Sequence, residues 1–190
     1  MYHTYDRDDY DVVKEIITNA VKDLIEFDSI LLEKDQIASS YSIMPDEEVI
    51  DRKIHELAIN HRFARYLENR LVARGFVEYS VDIEYNRFIN NKKKVFSLET
   101  EEHIVVRPDI LVHKRIKLDA PVPHLLVVEA KKLSIIDKDR NHVKYLMHDS
   151  NYQYKYGLLV SYLENFEEIR LNLLTLNNGE FSEDRFGVPR

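Results

Sequence analysis

The sequence predicts an α/β fold. Two long stretches carry the apolar period of amphipathic helices, and five shorter runs have the length and β-branched content of strands. In chain order, after an N-terminal helix, they read helix, strand, strand, strand, helix, strand, strand. With 190 residues the chain is long enough for one domain with a real core.

The first element is an N-terminal helix. Val12, Val13, Ile16, Ile17, Ala20, Val21, Leu24 and Ile25 form one stripe at helical spacing. It has a face to lay on the core or on a second copy of the chain, so a homodimer through this helix is one expectation. Residues 27–44 are weakly patterned, and residues 1–44 are read as a helical extension. Pro45-Asp46-Glu47-Glu48 is a helix start, with early negative charge favoured by the helix dipole. This helix is expected to run to Arg74, with Gly75 as terminator and Ile50, Leu57, Ala64, Leu67 and Leu71 as its stripe. Val77 to Arg87 alternates apolar and polar residues as a half-buried strand does. A polar, hairpin-like connection over residues 90–102 carries Lys92, Lys93 and Lys94 at its tip. Two strands follow, the first around Asp109 and the second around Glu129. Residues 137–149 read as a helix buried through Val143, Leu146 and Met147. Strands are expected at 154–162 and 169–176, and residues 178–190 as a polar tail. The main domain is therefore placed at residues 45–177.

Composition narrows the classes. No apolar run reaches the roughly 18 residues of a membrane span, and the first twenty residues lack a signal-peptide pattern. The chain has no cysteine, which removes disulfides and thiolate metal sites and fits a reducing, cytoplasmic setting. The net charge of −7 argues mildly against a polyanionic partner, although an acidic chain can still present one basic groove. The histidine pairs His55/His61 and His142/His148 are six residues apart and share no helix face, so neither pair reads as a metal site.

The informative stretches are Arg107-Pro108-Asp109-Ile110-Leu111-Val112 and Leu125-Leu126-Val127-Val128-Glu129-Ala130-Lys131-Lys132. Both are apolar runs interrupted by charge. A lone ion in such a place costs several kcal/mol unless it is paired or metal-bound. Alternation puts Glu129 and Lys131 on one strand face and Ala130 on the other. If the strands are antiparallel neighbours, Asp109 sits beside Glu129. Two neighbouring carboxylates raise each other's pKa unless a cation intervenes. A hard divalent cation, Mg²⁺ where the substrate is a phosphate, relieves this.

At these residues the chain resembles the PD-(D/E)XK nuclease superfamily. Pro108-Asp109 matches the first half of the motif, and Glu129-Ala130-Lys131 the second, twenty positions on. The resemblance covers about residues 45–165. It implies a restriction-endonuclease-like αβββαβ core, a central mixed sheet flanked by helices. It also implies a metal-dependent nuclease hydrolysing phosphodiester bonds, with DNA ahead of RNA as substrate. Asp109, Glu129 and the Ala130 carbonyl would then ligate Mg²⁺, with Mn²⁺ as a substitute. Glu56, at the border of the second helix's stripe, would be a further acid in the metal site, and Glu68 competes for that role. Lys131 would position the attacking water, and the product would carry a 5′-phosphate. Gln153 and Tyr156 match a loosely placed Gln or Tyr near the fourth strand of some members. Arg107, Lys132 and the Lys92–Lys94 tip are candidate nucleic-acid contacts. The alternative is a binding module on the same fold, for nucleic acid or protein, with a catalytically silent site. No phosphate-binding glycine loop is present, which leaves a nucleotide enzyme without a motif.

Overall fold

The computed structural model describes residues 7–33, 56–85, 87–88, 91–92, 94–97, 102–115 and 124–190. The architecture is α/β in three layers around a six-stranded mixed sheet. Helix α1 (Arg7–Phe27) is followed by a 3₁₀ turn (Ser29–Leu32) and by α2 (Glu56–Ala73). Then come β1 (Ser80–Ile83) and the short strands β2 (Arg87–Phe88), β3 (Asn91–Lys92), β4 (Lys94–Ser97) and β5 (Glu102–Val105). The chain continues through β6 (Ile110–His113), β7 (Leu126–Lys131), α3 (Asp137–His148), β8 (Tyr156–Ser161), β9 (Glu168–Asn177) and β10 (Glu180–Pro189).

The sheet order is β1-β6-β7-β8-β9-β10. Only β7 and β8 run parallel, because α3 crosses between them; the other neighbours are antiparallel. Strands β2–β3 and β4–β5 form two small ribbons outside this sheet. Strands β6, β7 and β8 are buried on both faces, which explains their continuous apolar runs. One face carries α1 and α2 over Leu126, Val128, Ala130, Leu158 and Leu171. The other carries α3 and the β4–β5 ribbon over Leu111, Val127, Leu159 and Leu174.

The stripe of α1 is spent inside the chain. Ile16, Ile17, Ala20, Val21 and Leu24 are buried against α2 and the sheet, so that stripe is not left open for a second copy. Arg70 donates from Nε and Nη2 to the two oxygens of Asp23, at 2.7 and 2.5 Å, and Arg62 donates to Asp28 at 2.7 Å. The described part of the N-terminal extension is thus a layer of the same core as the main domain.

Several expectations need correcting. In α2 the expected Ala64, Leu67 and Leu71 are buried, together with Ile59, Asn60, Phe63 and Tyr66, but Leu57 is exposed, and Ile50 lies outside the described residues. The helix does end at Gly75, whose φ of +87° suits glycine alone. The expected start at Pro45 lies outside the described residues. The strand expected from Val77 is only Ser80–Ile83, and Val77 faces solvent. The largest correction is at the C-terminus. Residues 178–190 are not a tail but hold β10, paired with β9 over its whole length. Asn178 and Gly179, both at positive φ, make the two-residue turn between them. The polar residues of β10 are tied down at long range: Asp184 accepts from Tyr10 and Lys14 of α1, and Glu183 from Arg140 of α3.

Helix α3 seats on β8 at Gly157. A Cβ there would come within 2.3 Å of Val143 Cγ1 and 2.7 Å of Met147 Sδ. Gly157→Ala should therefore lift α3 off the sheet and destabilise the protein by about 1–3 kcal/mol. Urea unfolding at constant m-value reads this directly, and an unchanged midpoint would contradict the close seating.

Candidate active site

The site forms where β6 begins and β7 ends. The antiparallel register pairs Ile110 with Val128, so Asp109, one residue earlier, falls opposite Glu129. Pro108 has no N–H to extend the ladder, and pairing stops at Ile110. The Asp109 side chain takes over as acceptor: its Oδ2 receives the Ala130 N–H at 2.8 Å. Glu129 and Lys131 project together from the same face of β7, and Lys131 Nζ lies 3.0 Å from Glu129 Oε1 and 3.5 Å from Asp109 Oδ2.

Glu56 joins from the first turn of α2. Its Oε2 accepts the Lys132 N–H at 2.7 Å, and its Oε1 lies 3.6 Å from Lys131 Nζ. Three carboxylates from α2, the start of β6 and β7 thus surround one ammonium. Glu68 lies on an exposed part of α2, twelve residues and about 18 Å along the helix axis, so Glu56 is the acid at this cluster.

Burial sets the electrostatics. Glu129 is raised from 4.5 to about 7, chiefly by desolvation, then by the neighbouring Asp109 charge, with Lys131 opposing. Asp109 is raised by burial and by Glu56, against the Ala130 N–H and Lys131. For Lys131, burial works to lower the pKa, but Glu129 and Asp109 outweigh it and hold the ammonium charged. Among the described residues no set of three or more His, Cys, Asp or Glu side chains is arranged as a metal cage. The carboxylates turn to Lys131 rather than to a common point. Their chemistry still fits a hard divalent cation: all-oxygen donors, two of them held above their ordinary range by burial and by a neighbouring carboxylate, Glu56 for Asp109 and Asp109 for Glu129.

No protein-family model matches the chain, and no curated protein or solved structure does either.

The remaining candidates separate by position. Arg107 is exposed beside Pro108, 3.8 Å from Glu84, and Lys132 follows Lys131, so both border the cluster. Tyr156 does not. It is fully buried at the first position of β8, opposite Leu126, with its ring 6.4 Å from Tyr10 of α1. Five residues of strand, about 16 Å, separate it from Ser161, the partner of Lys131. Gln153 precedes β8 at the same far end and donates to Ser150 O at 2.9 Å. Lys94 is held there too, through backbone hydrogen bonds with the Tyr152 hydroxyl at 3.0 and 3.1 Å. The side chains of Lys92 and Lys93 lie outside the described residues.

Three residues, Tyr162, Asn60 and Asp139, support the cluster without having been singled out. Tyr162, just past β8, donates to Asn60 Oδ1 at 2.9 Å, and both are buried. Asn60 is one turn after Glu56, so this bond fixes the end of α2 that presents the acid. Asn60 shares the Glu56 line on the helical wheel, but its partner is 102 positions away, which no local pattern reveals. Asp139 stands behind Glu129 and adds to its upward shift, while its Oδ2 caps α3 by accepting the Ile136 N–H at 3.1 Å.

The raised Glu129 fixes a pH dependence. Between 4.5 and about 7 the folded protein keeps a proton that the unfolded chain has released. Stability in metal-free buffer should therefore fall as pH rises through that window and level off above it. Glu129→Gln should flatten the slope and raise the melting temperature at pH 7.5. Thermal melts from pH 4.5 to 8 check this, and an unchanged slope in the variant would place the effect elsewhere.

Proposed function

We propose that the chain is a metal-dependent nuclease of the PD-(D/E)XK type, built on a restriction-endonuclease-like core. One observation carries the reading. A buried carboxylate, Glu129, a part-buried one, Asp109, from the neighbouring strand's start, and a third from the preceding helix meet a lysine two residues after Glu129 on the same strand face. Apart from the two small ribbons β2–β3 and β4–β5 inserted after β1, the succession α2, β1, β6, β7, α3, β8 supports it, since three antiparallel strands between two helices, then a parallel strand, is the αβββαβ order.

Asp109 and Glu129 would hold Mg²⁺ or Mn²⁺, with Glu56 beside them. When bound, such a cation neutralises charge on phosphate oxygens and lowers the pKa of water. The Lys131 ammonium, kept protonated by its acidic neighbours, acts as a donor. It orients the attacking water or a phosphate oxygen and does not accept the water's proton. Arg107 and Lys132 flank the cluster and would position the strand through its phosphates. The substrate is nucleic acid, with DNA ahead of RNA.

A second reading is a binding module with a silent site. It is favoured by the net charge of −7 and by how fully the cluster satisfies itself through the Ala130 and Lys132 N–H groups and Lys131. Purified protein with plasmid and Mg²⁺ or Mn²⁺ separates the two. Asp109→Ala, Glu129→Ala and Lys131→Ala should each lower cleavage by at least about 100-fold. Glu56→Ala should cost about 10- to 100-fold, as an outer partner does. Absence of cleavage, with no heat on metal titration and no shift in melting, would leave the silent module.

A further inference from the structure

A cavity of about 480 Å³ opens on the α3 face of the sheet, and the strand register ties it to the acidic cluster. Two rows of facing residues cross the sheet. One runs Glu129, Leu159, Asn172, Arg185, and the other Lys131, Ser161, Arg170, Gly187. The first member of each row belongs to the cluster, and the next three of each line the cavity. Strands lie about 4.8 Å apart, so Arg170 and Asn172 stand about 10 Å across the sheet from the cluster.

The chemistry of the lining selects its occupant. Arg170 lies 3.6 Å from both Glu164 and Glu168, and Arg185 lies 3.1 Å from Glu183. Arg140, also in the lining, shares Glu183 with Arg185 and lies 2.6 Å from it. Three guanidiniums thus face the three carboxylates of Glu164, Glu168 and Glu183, so the cavity offers no surplus positive charge to a phosphate. It offers neutral pairs of donors and acceptors instead: guanidinium beside carboxylate, the Asn172 carboxamide and the Ser161 hydroxyl. The edge of a nucleobase has that character. Ile135 and Phe186 supply apolar surface for its ring, and the volume is that of a small-molecule site. Gly187 lets the Glu168 carboxylate lie against the strand, because a Cβ there would overlap it.

We propose that this cavity receives one unpaired nucleobase of the substrate, within about three nucleotides of the scissile phosphate. About 10 Å is about three nucleotides at the rise of about 3.4 Å in a stacked strand, and fewer where the strand is unstacked and extended. A base inside a continuous duplex cannot enter without leaving its stack. The preferred substrate is therefore single-stranded, flapped or gapped next to the cut. This rests on the nuclease reading above.

The test uses labelled oligonucleotides of about twenty nucleotides in one mixed sequence: single-stranded, fully duplex, and duplex with a short flap. Each unpaired position is replaced in turn by an abasic site. Cleavage is followed with Mg²⁺ or Mn²⁺, and binding by fluorescence anisotropy with the Lys131→Ala protein. The unpaired forms should be bound and cut about tenfold better than the duplex. A single abasic position, one to three nucleotides from the cut, should cost about tenfold in rate and affinity. That penalty should shrink to about twofold or less in Asn172→Ala and in Arg170→Gln, the latter being a surface change, with melting temperatures unchanged. Cleavage of duplex as fast as of single strands, with no sensitive position, overturns the cavity assignment and leaves the nuclease standing. An abasic penalty of the same size in both variants does so too. Failure of the unsubstituted protein to cut any form, together with no binding of any form, overturns both.

Discussion

The Lys131 ammonium is the point on which the structure turns. Glu56, Asp109 and Glu129 are each within 3.6 Å of it, and all three come from elements that are buried on their other sides. Removing several carboxylates from water is affordable only where positive charge and hydrogen-bond donors meet them. Asp109 accepts the Ala130 N–H and Glu56 the Lys132 N–H, so two of the acids are held by the backbone of β7 and its extension. Glu129 leans on Lys131, and it is Glu129 that rises to about 7. Asp109 is raised as well, but the larger upward shift falls on Glu129.

The rest of the fold keeps that arrangement in place. Strand β7 is central, flanked by β6 and β8, and its inward residues are sealed by α1 and α2 below and by α3 above. The Tyr162–Asn60 hydrogen bond sets the end of α2, so Glu56 is placed by a contact from beyond β8. Helix α1 contributes no group to the site. It buries the far side of α2 and ties to it through Asp23–Arg70 and Asp28–Arg62. Those pairings also account for two of the arginines that, as a sequence cluster, could be taken for a basic surface.

Strand periodicity made the centre of the site legible and its surroundings much less so. Asp109, Glu129 and Lys131 could be set on one face because a strand alternates and because charge in an apolar run must be compensated. The resemblance already preferred Glu56 to Glu68, and the packing of α2 is what brings Glu56 to Lys131. Tyr156 misled because β8 is buried on both faces, so alternation carried no information about which side an aromatic takes. Strand β10 was concealed by its charges: Asp184 finds its partners on α1 and Glu183 on α3, while Arg185 pairs with Glu183 beside it. Yet Asn178-Gly179 after an apolar strand is a strong hairpin signal, and weighting it above hydropathy would have found the strand. The two rows that cross the sheet to the cavity were beyond reach, since they depend on the pairing register of four strands.

A net acidic chain can act on a polyanion if its acidity is spent at the site itself. Three carboxylates against one ammonium leave the cluster at −2 when all are ionised, which repels a phosphate. A divalent cation cancels that charge, so on the nuclease reading the cation and the phosphate must favour one another's binding by the same factor, whichever arrives first. Selectivity then cannot come from a broad positive surface drawing in any duplex. It has to come from neutral, shape-dependent contacts away from the cluster. The cavity over β8, β9 and β10, with each guanidinium matched by a carboxylate, is built for contacts of that kind.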